Sequence, residues 1–338
     1  MSNQDYYQLT PELVFQAIES CGYKLDGTLL ALNSYENRVY RLADTNGTRY
    51  VAKFYRPGRW SNEQILEEHE FAFQMAEREI PVVAPLELKG QSTNVQSTLG
   101  HWQDFRFALF PCVGGREPEL ENLDNLEQLG RYLGRMHALG AVEDFKYRPT
   151  LDVASYGTSS IETILAADFI PLELRNAYQA IATQVLELIK VQFDQPGEIA
   201  QIRIHADFHP GNILWHMDGP NIVDLDDARM GPAIQDLWML IGVDPETQLL
   251  HFDCLMDGYS DFFDLPLTQL RLIEPLRSLR MLHYSAWLAR RWDDPSFKHH
   301  FPWFAESRYW EQQILQLKEQ LAMLQDDQTL SRLTPLQH

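Results

Sequence analysis

The stretch from His205 to Asp224 constrains the fold more than any other part of the sequence. It begins as His205-Ala-Asp207-Phe-His-Pro-Gly-Asn212, and the apolar run Ile222-Val-Asp224 follows it. In catalysis of the protein-kinase type, one aspartate orients and deprotonates the attacking hydroxyl group, while an asparagine and a second aspartate hold the Mg²⁺ ions that bridge the nucleotide phosphates. The spacing from Asp207 to Asn212 is that of such a catalytic loop. The stretch therefore predicts Asp207 as the base and Asn212 and Asp224 as the Mg²⁺ ligands of an ATP-dependent kinase.

Two other interpretations of these residues exist. Asp and Asn side chains in a turn often only cap the backbone, but the Pro210-Gly211 turn and the strand-like run that ends in Asp224 favour the catalytic pattern. The second interpretation is a metal-dependent hydrolase, because His205, Asp207 and His209 alternate as the ligands of such an enzyme do. That hypothesis leaves the asparagine of the loop and the aspartate of the strand unexplained.

Composition excludes several classes of function. The chain has 338 residues, 45% of them apolar, and a formal net charge of −20, so it suits a folded protein of two lobes that repels nucleic acid. Its three cysteines are widely spaced without a metal-ligand pattern, which suits a reducing compartment. The segment Met1–Thr10 lacks the features of a signal peptide, and no apolar run approaches the length of a membrane span. We therefore expect a soluble cytoplasmic protein that binds neither nucleic acid nor a membrane.

The first part of the chain mixes helix and strand patterns. Thr10-Pro11 precedes apolar residues at helical spacing, and Ser61 predicts the cap of a helix that continues to Arg78. The Asn-Gly pair in Asp44-Thr-Asn-Gly47 is typical of a hairpin. Strand-like runs cover residues 38–42, 49–55, 82–88 and 102–110.

After Pro111-Cys-Val-Gly-Gly115 the pattern becomes largely helical, beginning with Leu123–Leu139. This change predicts an α+β, bilobal, protein-kinase-like fold with a small β-rich N-lobe and a larger helical C-lobe. We place a nucleotide-binding lobe at residues 1–110, a hinge at 111–115, and a catalytic and substrate lobe at 116–338.

Lys53 is the predicted phosphate-binding lysine. It lies in Tyr50-Val-Ala-Lys-Phe, the form of a strand whose lysine contacts the α- and β-phosphates, although a solvent-facing lysine would also fit. Glu67, Glu68 and Glu70 are candidates for its partner on the next helix. Glu68 is preferred because it shares the apolar face with Ile65, and an inward glutamate needs a cation.

A glycine-rich phosphate loop is missing, which argues against a eukaryotic-type protein kinase. The segment Leu32–Val39 stands in its place, where Ser34 and the surrounding backbone N–H groups would cover the phosphates unless the segment is an ordinary polar hairpin. The apolar run that leads into the hinge suits the adenine ring. Since a proline cannot donate, the hinge would offer the Pro111 carbonyl as acceptor and the Val113 N–H as donor.

Regulation and support of the catalytic loop also have a sequence signature. Ala206 stands where kinases activated by phosphorylation carry an arginine, and only a short segment follows Asp227 before the next helix, so we expect no activation by loop phosphorylation. Asp236 is expected to have a structural role, as the cap of the helix that backs the loop. The tryptophans Trp287, Trp292, Trp303 and Trp310 offer two interpretations, a cage for a quaternary amine or ordinary packing of the helical core.

The motifs together resemble the aminoglycoside phosphotransferase/choline kinase superfamily. The segments that carry this resemblance are Asn33–Val39, Val51–Lys53, His205–Asn212 and Val223–Ala228. Within it, the chain is similar to the stress response kinase A family of bacteria in Leu32–Tyr40, Lys53–Pro57, Arg131–His137 and Gly231–Leu240.

This resemblance covers nearly the whole chain. It implies a monomeric enzyme that depends on ATP and Mg²⁺, phosphorylates Ser and Thr in proteins and acts in stress responses. It assigns Asp207 as proton acceptor, Asn212 and Asp224 as Mg²⁺ ligands, and Ser34 to the ATP site.

The residues alone are compatible with other acceptors. A small-molecule kinase that acts on an amino alcohol, a sugar or an aminoglycoside-like compound is the main alternative. A nucleotide-binding pseudokinase that works by interaction is the third hypothesis, against which the intact Lys53, Asp207, Asn212 and Asp224 speak.

Overall fold

The computed structural model describes residues 8–89, 98–195, 199–242, 244–326 and 333. These residues form two units. The first comprises the described residues of Met1–Glu119, Phe145–Arg148 and His209–Ala228, and the second those of Leu120–Asp144, Pro149–Phe208 and Arg229–His338. The first unit contains an antiparallel sheet and the second is mainly helical, which confirms the predicted α+β class. The sequence-based boundaries at 1–110, 111–115 and 116–338 stay a prediction.

The regular elements are named here in chain order. They are α1 (Pro11–Glu19), β1 (Leu25–Ala31), β2 (Arg38–Asp44), β3 (Arg49–Tyr55), α2 (Asn62–Glu77), β4 (Gly100–Trp102), β5 (Phe105–Pro111), α3 (Leu123–Gly140), α4 (Ser159–Ala166), α5 (Leu172–Phe193), β6 (Ile202–Ile204), β7 (Ile213–His216), β8 (Gly219–Ile222), β9 (Arg229–Gly231), α6 (Pro245–Tyr259), α7 (Ile273–Arg291), α8 (Pro295–His300) and α9 (Ser307–Gln325).

A five-stranded antiparallel sheet, in the order β1-β2-β3-β5-β4, organises the first unit. The predicted Asn46-Gly47 turn joins β2 to β3, with Gly47 at φ 84° and the Asp44 carboxylate accepting the N–H groups of Asn46 and Thr48. Both predicted caps are present. Thr10 accepts the Leu13 N–H at the start of α1, and Ser61 forms a capping box at the start of α2.

Two predicted strands differ from the observed backbone. Residues 82–88, all of them described, form isolated bridges rather than a strand, because Pro81 and Pro85 have no N–H to donate to a ladder. The strand predicted over 102–110 is in fact the β4–β5 hairpin, whose turn holds Gln103 at φ 53°.

The β7–β8 hairpin also belongs to the first unit. Arg116 and Trp215 exchange backbone hydrogen bonds of 3.0 and 2.7 Å, and the Val83 N–H donates to the Ile222 carbonyl at 2.9 Å. Gly115 permits this approach, since a Cβ there would lie 2.6 Å from the backbone carbon of Leu214. The chain from residue 209 to 228 is thus attached to the same unit as β3 and α2.

A buried histidine connects α2 to its surroundings. The His69 ring nitrogens lie 2.7 Å from the Tyr55 hydroxyl and 2.7 Å from the Thr98 hydroxyl. Burial, together with the positive charges of Lys53 and Arg148, lowers the pKa of His69 to about 3. The ring is therefore neutral at physiological pH.

The second unit packs its helices around an aromatic core. Trp310 is fully buried in this core, and Trp287, Trp292 and Trp303 pack against it. The four tryptophans therefore pack the core, which favours that interpretation over an amine cage. In the described part of the chain, we find no helix with both the length and the apolar character that crossing a membrane requires.

Glycines allow α3 and α6 to cross at close range. A Cβ on Gly130 would lie 2.0 Å from the Leu255 carbonyl oxygen, and one on Gly134 would lie 2.5 Å from that of Tyr259. On the partner helix, a Cβ on Gly258 would lie 2.0 Å from the Glu127 carbonyl oxygen. These glycines are needed because the two backbones nearly touch.

We expect Gly130→Ala to lower the free energy of unfolding by about 1–3 kcal/mol, because the added methyl group forces the helices apart. Alanine is the better helix former by about 1 kcal/mol, so the effect has the opposite sign from helix propensity. Urea unfolding measures the change. Gly114→Ala, whose Cβ meets nothing within 4 Å, is the control. An unchanged or raised stability of the Gly130 variant would contradict the close crossing.

We expect the free energy of unfolding to fall as the pH is lowered, partly because of His69. The unfolded chain takes up a proton at a histidine of ordinary pKa, 6.5, whereas the folded state resists this until about pH 3. The contribution of His69 to stability is therefore fully present above pH 6.5 and is lost progressively below it. His69→Gln should weaken this pH dependence between about pH 7 and pH 5, as measured by urea unfolding at each pH. His299→Gln, at an exposed position, is the control and should leave this pH dependence unchanged. An equal dependence of stability on pH in both variants would contradict the role of His69.

Candidate active site

Lys53 is buried and lies among three carboxylates in the first unit. Strand β3 places its Nζ 3.4 Å from Glu68 Oε1, 3.2 Å from Asp224 Oδ1 and 2.9 Å from Asp226 Oδ1. Burial alone would lower the pKa of Lys53, but the carboxylates of Asp226, Glu68 and Asp224 outweigh burial and raise it well above its usual value. Lys53 is therefore a positively charged group, suited to an anionic phosphate.

The three candidate glutamates of α2 have separate contacts. Glu68, the one preferred from the helical pattern, contacts Lys53 and also accepts from Arg148 Nη2 at 2.9 Å. Burial raises the pKa of Glu68 although both cations oppose this. Glu67 instead accepts three backbone N–H groups, those of residues 146–148, at 2.6 to 2.9 Å. Glu70 is exposed on the helix surface. The helix is thereby held by two neighbouring carboxylates.

Asp226 is the buried anchor of the site. Besides Lys53, it receives Arg59 Nη2 at 3.0 Å and the Asn37 side-chain amide at 3.0 Å. Burial would raise the pKa of this carboxyl, but Lys53 and Arg59 hold it well below its usual value. Arg59 also contacts Asp227 at 2.8 Å. Asp226 therefore joins β3, the loop before β2 and the segment after β8.

Asp224 differs from Asp226 in exposure. Its backbone is left-handed, at φ 62° and ψ 65°, which is uncommon for a residue other than glycine. Its side chain is 52% exposed, whereas that of Asp226 is 5% exposed. Asn212 is close along the hairpin, since its carbonyl accepts the Val223 N–H at 3.0 Å. Asp224 and Asn212 thus belong to one local backbone arrangement.

The donor chemistry of Asn212 and Asp224 fits Mg²⁺. Amide and carboxylate oxygens are hard ligands, and Mg²⁺ commonly takes one or two protein ligands, with phosphate and water completing its shell. Among the described residues, no cluster of three or more His, Cys, Asp or Glu side chains is arranged to hold a metal. The amide and the carboxylate are compatible with a metal that is shared with a nucleotide.

The segment that replaces a glycine-rich loop is anchored through its backbone. Arg56, which is buried, donates through Nε to the Glu36 carbonyl at 2.8 Å and through Nη2 to the Tyr35 carbonyl at 3.1 Å. Its own N–H donates to the Asn37 side chain at 3.1 Å. Ser34 is partly exposed between β1 and β2, directly before these anchored residues.

The predicted hinge begins where β5 ends. Pro111 is the last residue of β5, and the Cys112 N–H donates to the Arg49 carbonyl at 3.3 Å. The Val113 N–H is the next donor along the chain. These positions match the backbone acceptor and donor that the sequence analysis names, and their part in adenine binding stays a prediction.

Asp207 lies in the second unit, after β6. The backbone before it is fixed by Asp236, whose carboxylate accepts the N–H groups of His205 and Ala206 at 2.7 Å each. Ala206 is left-handed at φ 69°, and Gln235 donates to its carbonyl at 2.8 Å. Asp236 has the expected supporting role, but it does not cap a helix, because both of its oxygens accept backbone N–H groups of the segment before Asp207.

A buried chain of polar groups supports Asp236. Its carboxylate lies 3.2 Å from His137 Nε2, and His137 Nδ1 lies 2.6 Å from the Tyr259 hydroxyl. Asp236 and His137 are fully buried. The network holds the catalytic loop against α3 and α6.

Arg280 is the ion-pair partner of Asp207. It lies on α7, and its Nη1 donates to the Asp207 carboxylate. The Arg280 side chain is 42% exposed, and that of Asp207 is 23% exposed.

The structure thus groups the predicted site residues in two places. Lys53, Glu68 and Asp224 are in mutual proximity, with Asn212, Ser34, Pro111 and Val113 in the same unit. Asp207 belongs to the second unit with Arg280.

Sequence reasoning missed several residues of the site. Asp226 and Asp227 carried a signal, since only Leu225 separates them from Asp224. Arg59, Arg148 and Arg280 had no such signal, because each is separated from its carboxylate by 73 or more residues.

The known proteins that this chain is similar to are phosphotransferases and kinases. Residues 28–253 match the model of the phosphotransferase enzyme family, APH. Stress response kinase A of Escherichia coli (strain K12) is 42% identical over 331 residues, 98% of each chain. The serine/threonine protein kinase RdoA of Salmonella typhimurium (strain LT2) is 41% identical over 331 residues, again 98% of each chain.

Solved structures show the same fold at lower identity. Amicoumacin kinase hAmiN, in complex with AMP-PNP, Ca²⁺ and Ami, has a TM-score of 0.70 at 19% identity, and the match covers 90% of this chain and 95% of that chain. A microcompartment-associated aminopropanol kinase has a TM-score of 0.68 at 16% identity, with 96% and 99% covered. The chain therefore belongs to the phosphotransferase enzyme family and, within it, to the stress response kinase A group of kinases.

Proposed function

We propose that this protein is an ATP- and Mg²⁺-dependent serine/threonine protein kinase that acts in the bacterial stress response. The observation that carries the nucleotide part is the buried, charged Lys53 between Glu68 and Asp224. The protein acceptor is supported by relatives at 41–42% identity, one of which is named a serine/threonine protein kinase.

The first unit supplies the nucleotide contacts in this proposal. Lys53 binds the α- and β-phosphates, and Ser34 with the neighbouring backbone N–H groups covers them. The Pro111 carbonyl and the Val113 N–H bind the edge of the adenine ring. Asn212 and Asp224 hold Mg²⁺, which when bound neutralises charge on the phosphates.

Asp207 is the proposed proton acceptor. It takes the proton of the acceptor hydroxyl as the new oxygen–phosphorus bond forms and the bond from the γ-phosphorus to ADP breaks. The amides held by Asp236 fix the backbone that presents this carboxylate.

The enzyme would need no phosphorylation to assemble its site. Glu68 already contacts Lys53, while Glu67 and Arg148 hold α2 in that position. This agrees with the absence of an arginine at Ala206. We expect a monomer in the cytoplasm, where the three free thiols of Cys21, Cys112 and Cys254 suit a reducing compartment.

A small-molecule kinase is the second candidate. It is favoured by the fold shared with amicoumacin kinase and aminopropanol kinase. An amino alcohol, a sugar or an aminoglycoside-like compound would then be the acceptor. A pseudokinase is disfavoured by the contacts of Lys53 with Glu68 and Asp224.

We expect Asp224→Asn and Asp226→Asn to separate catalysis from stability. Asparagine tolerates the left-handed backbone at 224, so that variant should fold and lose phosphoryl transfer, with a raised Mg²⁺ requirement. Asp226→Asn should lower the free energy of unfolding by about 3–5 kcal/mol, because Lys53 and Arg59 lose a buried counter-charge. Kinase assays across Mg²⁺ concentrations and urea unfolding measure the two effects. Full activity of the Asp224 variant would exclude it as a metal ligand.

We expect Asp207→Ala to bind ATP and to lose transfer about 10²- to 10⁴-fold, the usual contribution of a general base. The exposed Asp218→Ala is the matched control. Labelled ATP, supplied with generic protein acceptors and with a panel of hydroxyl metabolites, measures the transfer. Turnover confined to one metabolite would overturn the protein acceptor, and undiminished transfer by the Asp207 variant would exclude the assigned base.

A further inference from the structure

The proposed catalytic base, Asp207, forms an ion pair with the positively charged Arg280. Arg280 Nη1 donates to the Asp207 carboxylate, and among the described residues no other hydrogen-bond or ion-pair partner of Arg280 is present. The arginine side chain is 42% exposed, so an approaching molecule can reach it. A hydroxyl group that arrives at Asp207 therefore arrives beside a guanidinium group.

The guanidinium group has capacity for a second anion. It carries five N–H donors in a fixed fork, and the contact with Asp207 involves one terminal nitrogen. A carboxylate beside the incoming hydroxyl would accept a charge-assisted hydrogen bond from this fork. An ammonium group in the same place would be repelled.

The helix that carries Arg280 has a charge opposite to that of the whole chain. Helix α7 contains four arginines and one acidic residue, Glu274, in a chain of net charge −20. Glu274 is buried, and its Oε1 lies 3.6 Å from Nη1 of Arg277. Arg277 is one helical turn before Arg280. One turn beyond Arg280, Tyr284 is exposed and stacks on Trp287 at a ring distance of 5.7 Å. On this helix, Arg280 is therefore the arginine that contacts Asp207, and an exposed aromatic side chain lies one turn from it.

We propose that Arg280 selects acceptors in which a carboxylate flanks the Ser or Thr hydroxyl. This inference rests on the proposed function and names its substrate class, acidic segments of proteins. When the acceptor carboxylate binds the guanidinium group, Asp207 is released from its ion pair and takes the hydroxyl proton, while the γ-phosphoryl group moves from ATP to the hydroxyl oxygen and ADP leaves. Cationic amino alcohols lack the group that makes this exchange.

Matched serine peptides that differ only in the flanking residue, Asp, Asn or Lys, test the proposal. The full-length enzyme should show kcat/KM about ten-fold higher or more for the Asp peptide than for the Asn peptide, as a hydrogen bond between charged groups provides. Arg280→Gln should remove this preference mainly through KM, and Arg280→Glu should favour the Lys peptide. Arg280→Lys, which keeps the charge without the fork, should retain part of the preference.

Arg290→Gln is the matched control on the same helix. Its guanidinium group donates to Ser159 and Thr163 on α4, so the preference for the Asp peptide should persist. Circular dichroism establishes that each variant is folded.

The outcomes separate this inference from the proposed function. Peptide phosphorylation without a preference for Asp would overturn the role of Arg280 and leave the protein kinase standing. If Arg280→Gln lowered kcat equally for all peptides and kept the preference for Asp, Arg280 would only position Asp207. That result would also overturn the role of Arg280 in acceptor selection. Failure to phosphorylate any peptide or protein while ATP binds would overturn the proposed function itself.

Discussion

The first unit depends on the burial of Asp226 between Lys53 and Arg59. A carboxylate with a side-chain exposure of 5% is tolerated only when cations and hydrogen-bond donors surround it. Here the donors come from β3, from the segment before α2 and from the loop before β2. Because removing any of them leaves a buried charge without its partner, these segments hold a fixed arrangement. Lys53, the residue proposed to bind phosphate, is positioned by this requirement.

The same segment presents a second carboxylate in a different environment. Two residues before Asp226, the left-handed backbone of Asp224 leaves its side chain half exposed while it still contacts Lys53. Such a backbone costs roughly 1–2 kcal/mol in a residue with a Cβ. The ion pairs of Asp226 and Asp227 with Arg59 offset this cost. Asp226 therefore stabilises the segment, while the half-exposed Asp224 is the residue proposed to bind the metal.

The sequence predicted local features well and long-range partners poorly. The caps at Thr10 and Ser61, the Asn46-Gly47 turn and the inward position of Glu68 follow from short-range rules, and the structure contains each of them. The strand predicted over 82–88 failed because two prolines outweighed an apolar pattern. Arg148 and Arg280 meet carboxylates 80 and 73 residues away, and no periodicity connects such positions.

The second unit also contains a buried carboxylate with several partners, in the segment that packs against the backbone before Asp207. Asp236, fully buried and supported by His137, accepts the N–H groups of His205 and Ala206 and so holds Ala206 in a left-handed backbone. The next residue, Asp207, remains partly exposed. In each unit, a buried, paired carboxylate therefore lies near a residue with a left-handed backbone, and a partly exposed aspartate is found beside it. Since the buried member uses all its oxygens inside the protein, it is the less replaceable one for folding, although the exposed member is proposed to carry the chemistry.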